Sequence, residues 1–273
     1  MDVIGCRRSD VWKVDKAGLV LDLKLRTNSQ MSVLYDTIGV DYSALRRPDP
    51  RIAAAIHAHL QDAASLLNVG AGAGSYEPGH LKVTAVEPSA AMIRQRPWRD
   101  AMVVRAVAED LPFADKSFDA SMAILTVHHW SDVRKGLREM RRVTRGKIII
   151  LTFDPLASNF WLLDYLPQLA TLDQQQMPGR AEFEAVLGPV QRIALPIPHD
   201  CADGILCAYW RRPAAYLDPK VRRSMSSFWK IGDASEPLQR LKDDLQSGEW
   251  ECKYSRFLDQ DSCDFGYHLL VTS

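Results

Sequence analysis

Gly70, Gly72 and Gly74 alternate with Ala71 and Ala73 directly behind the apolar run Leu66-Leu67-Asn68-Val69. Glycine tolerates the sharp turns that bring backbone N–H groups against a ligand, so this spacing suits a loop that wraps a nucleotide-like molecule. The third glycine comes one residue too early for the G-x-G-x-x-G fingerprint, whose last position is Ser75 here, which argues against a nicotinamide dinucleotide. Glu87 ends a second apolar run, and a carboxylate at a strand tip can accept both hydroxyls of a ribose. His128 and His129 follow a later apolar run and are candidate proton acceptors, because imidazole titrates near neutrality. Asp154 and His199 are weaker candidates of the same kind. The five cysteines, Cys6, Cys201, Cys207, Cys252 and Cys263, show no C-x-x-C spacing, so they read mostly as packing residues and no metal site is expected.

Residues of this kind need elements to hold them. Five short apolar runs, Ser65 to Val69, Val83 to Glu87, Met102 to Ala106, Phe118 to Leu125 and Lys147 to Phe153, are too short for helices and do not alternate strictly, as expected of strands buried on both faces. Asp49 and Pro50 open a helix to about Ala64, with Ile52, Ile56 and Leu60 on one face. Ser131 or Asp132 opens another, carrying Val133, Leu137, Met140 and Thr144 and closed by Gly146. The basic residues Arg134, Lys135, Arg138, Arg141, Arg142 and Arg145 then fall on its solvated side rather than forming a nucleic-acid patch. Strands alternating with helices predict a parallel α/β sheet. Between Ser75 and Lys82 there is room for only about one helical turn, with Pro78 inside it. Beyond Phe153, helical stretches are expected at Trp161 to Ala170, Arg180 to Leu187, Pro213 to Trp229 and Leu238 to Gly248, with late strands at Val190 to Pro196 and Phe265 to Thr272. Leu19 to Arg26 alternates like a strand within an N-terminal extension, residues 1–30.

A chain of 273 residues with 47% hydrophobic and 25% charged residues has the composition of a globular protein, not of a disordered or fibrous one. Its 34 basic and 34 acidic residues cancel, so no global field favours nucleic acid or an anionic membrane. No apolar run approaches the roughly 20 residues of a membrane span, and MDVIGCRRSD lacks the apolar region of a secretory signal, so a cytoplasmic location is expected.

With Ala108-Glu109-Asp110-Leu111-Pro112-Phe113 and Thr126-Val127-His128-His129-Trp130 added, the glycine turn and Glu87-Pro88-Ser89 closely resemble the class I S-adenosylmethionine-dependent methyltransferases, in particular the UbiE-like or type 11 small-molecule group. The resemblance implies a Rossmann-like α/β fold with a seven-stranded, mostly parallel sheet, flanking helices and helical additions that shape an acceptor pocket. It implies S-adenosylmethionine as cofactor and S-adenosylhomocysteine as product. Asn68, Gly70, Ala71, Gly72 and Gly74 would pass under the methionine moiety, with Glu87 on the ribose. Pro88 to Met92 would flank the adenine, Ala108 and Glu109 would reach its edge, and Leu125 and Thr126 would sit by the methionine end. Asn68 stands where the family usually has an acid, and Val107 where it has an acid or polar residue.

Tyr35, Tyr42 and Arg47 look like the family's lid, and with Trp130 and Asp154 they would line the acceptor pocket. Residues 31–273 would form one domain, with a core at 65–155, a substrate-shaping region at 156–260 and a final strand at 265–272. The partner would be a small-molecule methyl acceptor, with no nucleic acid and no membrane, in a monomer or homodimer. Asp200 to Gly204 and Ala208 to Pro213 look like a subfamily signature to which the resemblance attaches no role. The alternatives are an RNA or protein methyltransferase and a non-catalytic binding or regulatory protein on the same fold.

Overall fold

The computed structural model describes residues 11–15, 18–22, 45–97, 101–157 and 159–273. Its strands are β1 (Val11–Asp15), β2 (Gly18–Asp22), β3 (Ser65–Val69), β4 (Lys82–Val86), β5 (Met102–Arg105), β6 (Ala120–Ile124), β7 (Ile148–Phe153), β8 (Val190–Ala194), β9 (Ile197–Pro198), β10 (Ser262–Cys263) and β11 (Tyr267–Thr272). The main sheet runs β1-β2-β5-β4-β3-β6-β7-β11-β8, and β9 pairs with β10 separately. From β5 to β8 these are the seven strands expected, β11 lying antiparallel between β7 and β8. The β1–β2 hairpin widens the sheet because β2 pairs in parallel with β5. The rest of the Leu19–Arg26 alternation, from residue 23, lies outside the described residues, as do Cys6, Tyr35 and Tyr42.

The apolar runs are strands because both of their faces are buried. Leu66, Met122 and Ile149 enter one core cluster, and their neighbours Leu67, Ala123 and Ile150 enter the other. Successive side chains of a strand point to opposite faces, so a sheet covered on both sides needs continuous apolar runs. On one side, α3 (Val133–Val143) packs through Leu137, Met140 and Val143, with Asp132 capping its N-terminus through the Lys135 N–H at 2.9 Å. Its basic face is solvated except at Arg142, which is half-buried and donates to the Leu111 and Phe113 carbonyls at 2.9 and 2.7 Å, pinning that loop.

On the other side, α1 (Pro50–His57) is capped by Asp49 and buries Ile52 and Ile56. It stops well before Ala64. The chain turns there to bury Leu60, and the N–H groups of Ala64 and Ser65 are taken by Asp119 at 3.1 and 2.9 Å as the chain enters β3. No helix forms between β3 and β4. The segment is a run of turns, since Pro78 and Gly79 break it within a span too short for a full crossover. The remaining helices are α2 (Ala90–Arg94), α4 (Gln168–Gln176), α5 (Arg180–Leu187), α6 (Pro219–Arg223), α7 (Ser226–Lys230), α8 (Ser235–Ser247) and α9 (Glu249–Tyr254). Prolines divide the longer helices expected from sequence: Pro167 separates a 3₁₀ turn at Trp161–Asp164 from α4, and Pro219 restarts the chain after Pro213–Leu217. Among the described residues no helix is long and apolar enough to cross a membrane.

Candidate functional site

The strand order reverses at β3, with β4 on one side and β6 on the other. Ligands of open α/β sheets bind at the carboxyl ends of strands beside such a reversal, and the glycine turn lies there. Gly70, Gly72 and Gly74 have φ of 70°, 51° and 88°, a region L side chains rarely adopt. Gly70 is also enclosed, since a Cβ there would lie 2.1 Å from Thr126 Oγ1. The turn is tied to β4 by the Gly70 and Ala71 N–H groups, which donate to the Val86 carbonyl at 2.9 and 3.0 Å.

Glu87 is 7% exposed. One carboxylate oxygen accepts from the Gly72 N–H at 2.8 Å and the other from the Ser89 N–H at 2.9 Å. The acid therefore spans glycine turn and strand tip. Ser89, rather than Glu87, caps α2, accepting from the Met92 N–H at 3.2 Å. Met92 is buried, its methyl 3.4 Å from where a Gly72 Cβ would sit.

Asn68 is 1% exposed and donates to Glu77 Oε1 at 2.9 Å, while its own Oδ1 is buried with no partner among the described residues. Glu77 in turn holds Arg96 through both carboxylate oxygens at 2.8 and 2.6 Å. Both side chains of that ion pair are nearly inaccessible, at 7% for Arg96 and 2% for Glu77. The sequence reading missed this pair. Nothing in the spacing of Glu77 and Arg96 joins them, and the link arises because α2 returns the chain beneath the glycine turn.

Leu125 takes a left-handed φ of 50° at the end of β6, a strained conformation for a branched side chain. The bend leads into a 3₁₀ turn, Val127–His129, that brings the rings of His128 and His129 to 3.9 Å between centroids. Burial, and then the cations Lys230 and Arg46, push His128 down to about 3. Burial first, and then His128, Lys230 and Arg46, push His129 down as well. Both imidazoles are thus held neutral, and a neutral imidazole of such low basicity is a poor proton acceptor at pH 7.

Other expected residues are placed differently. Glu109 accepts from the Ser131 N–H at 2.7 Å, the Ser131 hydroxyl at 2.8 Å and the Asp132 N–H at 3.1 Å, joining the loop after β5 to the start of α3. Ala108 is buried, and Trp130 packs with it against Gly136, whose missing Cβ leaves space 2.5 Å from the indole. Asp154 accepts from the Leu156 N–H at 3.0 Å and pairs with Arg192 of β8 at 3.4 Å, which draws it toward the sheet edge. Arg47 is exposed, and its neighbour Arg46 is the residue that turns inward, donating to Asp203 at 2.6 Å.

The Asp200 to Pro213 signature has a structural role. Asp203, 1% exposed, accepts from Arg46 and from the Tyr76 hydroxyl at 2.7 Å, Asp200 holds Arg51 at 2.7 Å, and the Gly204 N–H donates to the Leu45 carbonyl at 2.9 Å. The signature therefore clamps the start of α1 over the glycine turn. Four large aromatic residues of the C-terminal region are core: Trp161, Trp210, Tyr216 and Trp250 are each at most 2% exposed, whereas Trp229 is 44% exposed. They pack edge-to-face, as in Trp161 on Trp250 at 5.2 Å, so they do not line an open acceptor cavity.

A doubly wound sheet with a left-handed glycine turn and a strand-tip carboxylate at its reversal defines a nucleoside-binding α/β domain. Residues 67–152 match the methyltransferase domain family. The structure of a protein described as a methyltransferase from an antibiotic biosynthesis pathway of Anabaena variabilis is 35% identical, with a TM-score of 0.79, over 85% of this chain and all of that one. The demethylmenaquinone methyltransferase of Paenarthrobacter aurescens is 35% identical over 123 residues, 39% of this chain and 48% of the relative. An uncharacterized methyltransferase of Bacillus subtilis, YcgJ, is 26% identical over 159 residues, 50% of this chain and 62% of the relative. The chain thus spans less than two thirds of these curated relatives. It belongs to the class I S-adenosylmethionine-dependent methyltransferase family, in the type 11 group.

The residues present fit that family's cofactor. Asn68 Oδ1 is a buried acceptor with no donor among the described residues, directly behind the left-handed glycine turn, and an ammonium supplies the donor such an atom requires.

Proposed function

We propose that this chain transfers a methyl group from S-adenosylmethionine to an O, N or C atom of a small-molecule acceptor. The observation that carries the reading is the orphaned Asn68 oxygen beside the left-handed Gly70 and Gly72, facing a carboxylate at the tip of β4. In this reading Asn68 and the turn take the methionine end, Glu87 takes the ribose, and Met92 and Ala108 border the base. The cofactor supplies an electrophilic methyl group when bound. The protein then has to hold the acceptor in line with it and keep water out, which is where most of the acceleration of such a displacement arises.

The small-molecule acceptor is supported by relatives named for demethylmenaquinone and for 2-methyl-6-phytyl-1,4-hydroquinone. It is also supported by the lack of net charge that a nucleic-acid substrate would call for. Residues 31–273 act as one domain in this reading, with 156–260 forming the acceptor side.

Isothermal titration with S-adenosylmethionine and S-adenosylhomocysteine, beside NAD, tests the reading. Saturable binding of the first two, weakened by about tenfold or more in Glu87→Ala (a loss of about 1.4 kcal/mol or more), is expected. No binding at millimolar cofactor would overturn it and leave a non-catalytic protein on this fold.

A further inference from the structure

Which end of the Asn68 amide faces which way is decided by a neighbour. An amide has a donor at one end and an acceptor at the other, whereas a carboxylate only accepts. Glu77 is held as a carboxylate by Arg96, which reaches both of its oxygens at 2.8 and 2.6 Å, and a guanidinium does not give up its charge. Asn68 Nδ2 therefore has to point at Glu77, which it meets at 2.9 Å. The flipped amide would set two oxygens against each other at that distance. Oδ1 is left facing away from the ion pair, buried and with no donor among the described residues.

The same pair rests against the cofactor turn. Arg96 Nη1 approaches the Gly72 carbonyl at 3.4 Å, and a Cβ on Gly74 would lie 3.2 Å from both Arg96 Cζ and Glu77 Oε2. Glu77 belongs to the run of turns after the glycines and Arg96 follows α2, so two segments meet against one loop. Arg96, Glu77 and Asn68 thus form one connected chain shielded from water. Donating to a carboxylate polarises an amide and makes its oxygen a stronger acceptor.

Asn68 carries no charge, and Arg96 cancels the charge of the carboxylate beside it. What this cluster offers a cation is therefore an oriented dipole rather than a charge. A dipole attracts a cation only when its negative end is the one presented, so the residue that sets the orientation decides the sign of the interaction.

Resting on the methyltransferase reading, we propose that Glu77 is the positioning residue for the amino group of S-adenosylmethionine. By accepting the Asn68 N–H it presents Oδ1 to the cofactor's ammonium and strengthens that oxygen as an acceptor. Glu77 acts through Asn68 and Arg96 keeps it charged.

The test is equilibrium titration of the full chain with S-adenosylhomocysteine and with its deamino analogue, which keeps the adenosine, the thioether and the carboxylate and lacks the ammonium. The native chain binds S-adenosylhomocysteine about tenfold or more tighter than the analogue, the size of one hydrogen bond to a charged group. Glu77→Gln alone would strand the buried Arg96 charge, so the variant measured is Glu77→Gln with Arg96→Met. Its new amide can donate to Asn68 Oδ1 and let the Asn68 amide turn over. That double variant loses about tenfold in affinity for S-adenosylhomocysteine and keeps its affinity for the deamino analogue. Adding Asn68→Asp restores S-adenosylhomocysteine binding, because both oxygens of a carboxylate accept and the orientation no longer matters. Equal binding of the two ligands by the native chain, a measurement that needs no variant, would overturn the proposal. So would equal losses for both ligands in the double variant, no loss for either, or no rescue by Asn68→Asp. Each of these leaves the methyltransferase reading standing, because the native chain still binds S-adenosylhomocysteine. Failure of the native chain to bind it removes both.

Discussion

The two halves of the site are built in different ways. The cofactor side uses neighbours in sequence and groups of the main chain: three glycines within five residues, the N–H groups of Gly72 and Ser89, and a carboxylate just past the next strand. The segments packed over that turn are joined instead by side chains from distant positions. Arg46 meets Asp203 across 157 positions, Tyr76 meets Asp203 across 127, and Lys230 meets Gln176 across 54. Backbone geometry can be specified by a short motif because only the local φ matters. A set of converging side chains needs the whole fold, so no short motif specifies it.

The largest effect should come from the one place where the cofactor side departs from that pattern and relies on a buried ion pair. Arg96→Met leaves Glu77 charged and 2% exposed beneath the turn, and removing one partner of a buried pair costs about 3–5 kcal/mol. Chemical denaturation should show that loss, and the double variant with Glu77→Gln should recover much of it. Full additivity of the two changes would show that the pair contributes no coupling, and that the two halves do not differ in this respect.

A smaller effect separates two glycines of the same turn. Gly70→Ala places a Cβ 2.1 Å from Thr126 Oγ1, whereas Gly72→Ala meets only the Met92 methyl at 3.4 Å. Both pay the left-handed penalty of about 1–2 kcal/mol, and Gly70→Ala adds an overpacking cost of about 1–3 kcal/mol. Thermal melts and cofactor titration on the pair should rank them in that order. Equal losses would mean that Thr126 gives way and that the close approach at Gly70 is unimportant.

The smallest effect is on the pH dependence of stability. His128 is pushed from 6.5 down to about 3 in the folded chain, so the unfolded chain binds more protons between those values. Its contribution is therefore complete above about 6.5 and is lost as pH falls toward 3. One pH unit below 6.5 the loss is about 1.4 kcal/mol. His128→Asn should flatten the denaturation midpoint between pH 6.5 and 5.5 relative to the native chain. An unchanged slope would place the histidine in solvent.

What could be read from sequence follows the same division. The five central strands, the capped starts of α1 and α3 and the glycine turn were legible, because burial on both faces, capping and left-handed backbone leave marks on contiguous residues. Eight of the nine strands in the main sheet coincide with expected ones, β2 overlapping the Leu19–Arg26 alternation, whereas β1 carries no clear alternation of its own and, among the described residues, joins the sheet by way of β2. The histidines were chosen for their residue type. Burial holds them neutral, reinforced by the charges of Lys230 and Arg46, which approach from elsewhere in the chain.

The sequence by itself determined the sheet, its cofactor turn and the family, since each rests on residue types at short, fixed spacing. Only the tertiary structure decided that Arg46 rather than Arg47 turns inward, that Trp161, Trp210, Tyr216 and Trp250 are core, and that Glu77 and Arg96 brace the turn. Each of these depends on which side chain is denied water by a segment far along the chain, and one residue's neighbours in sequence carry no record of that.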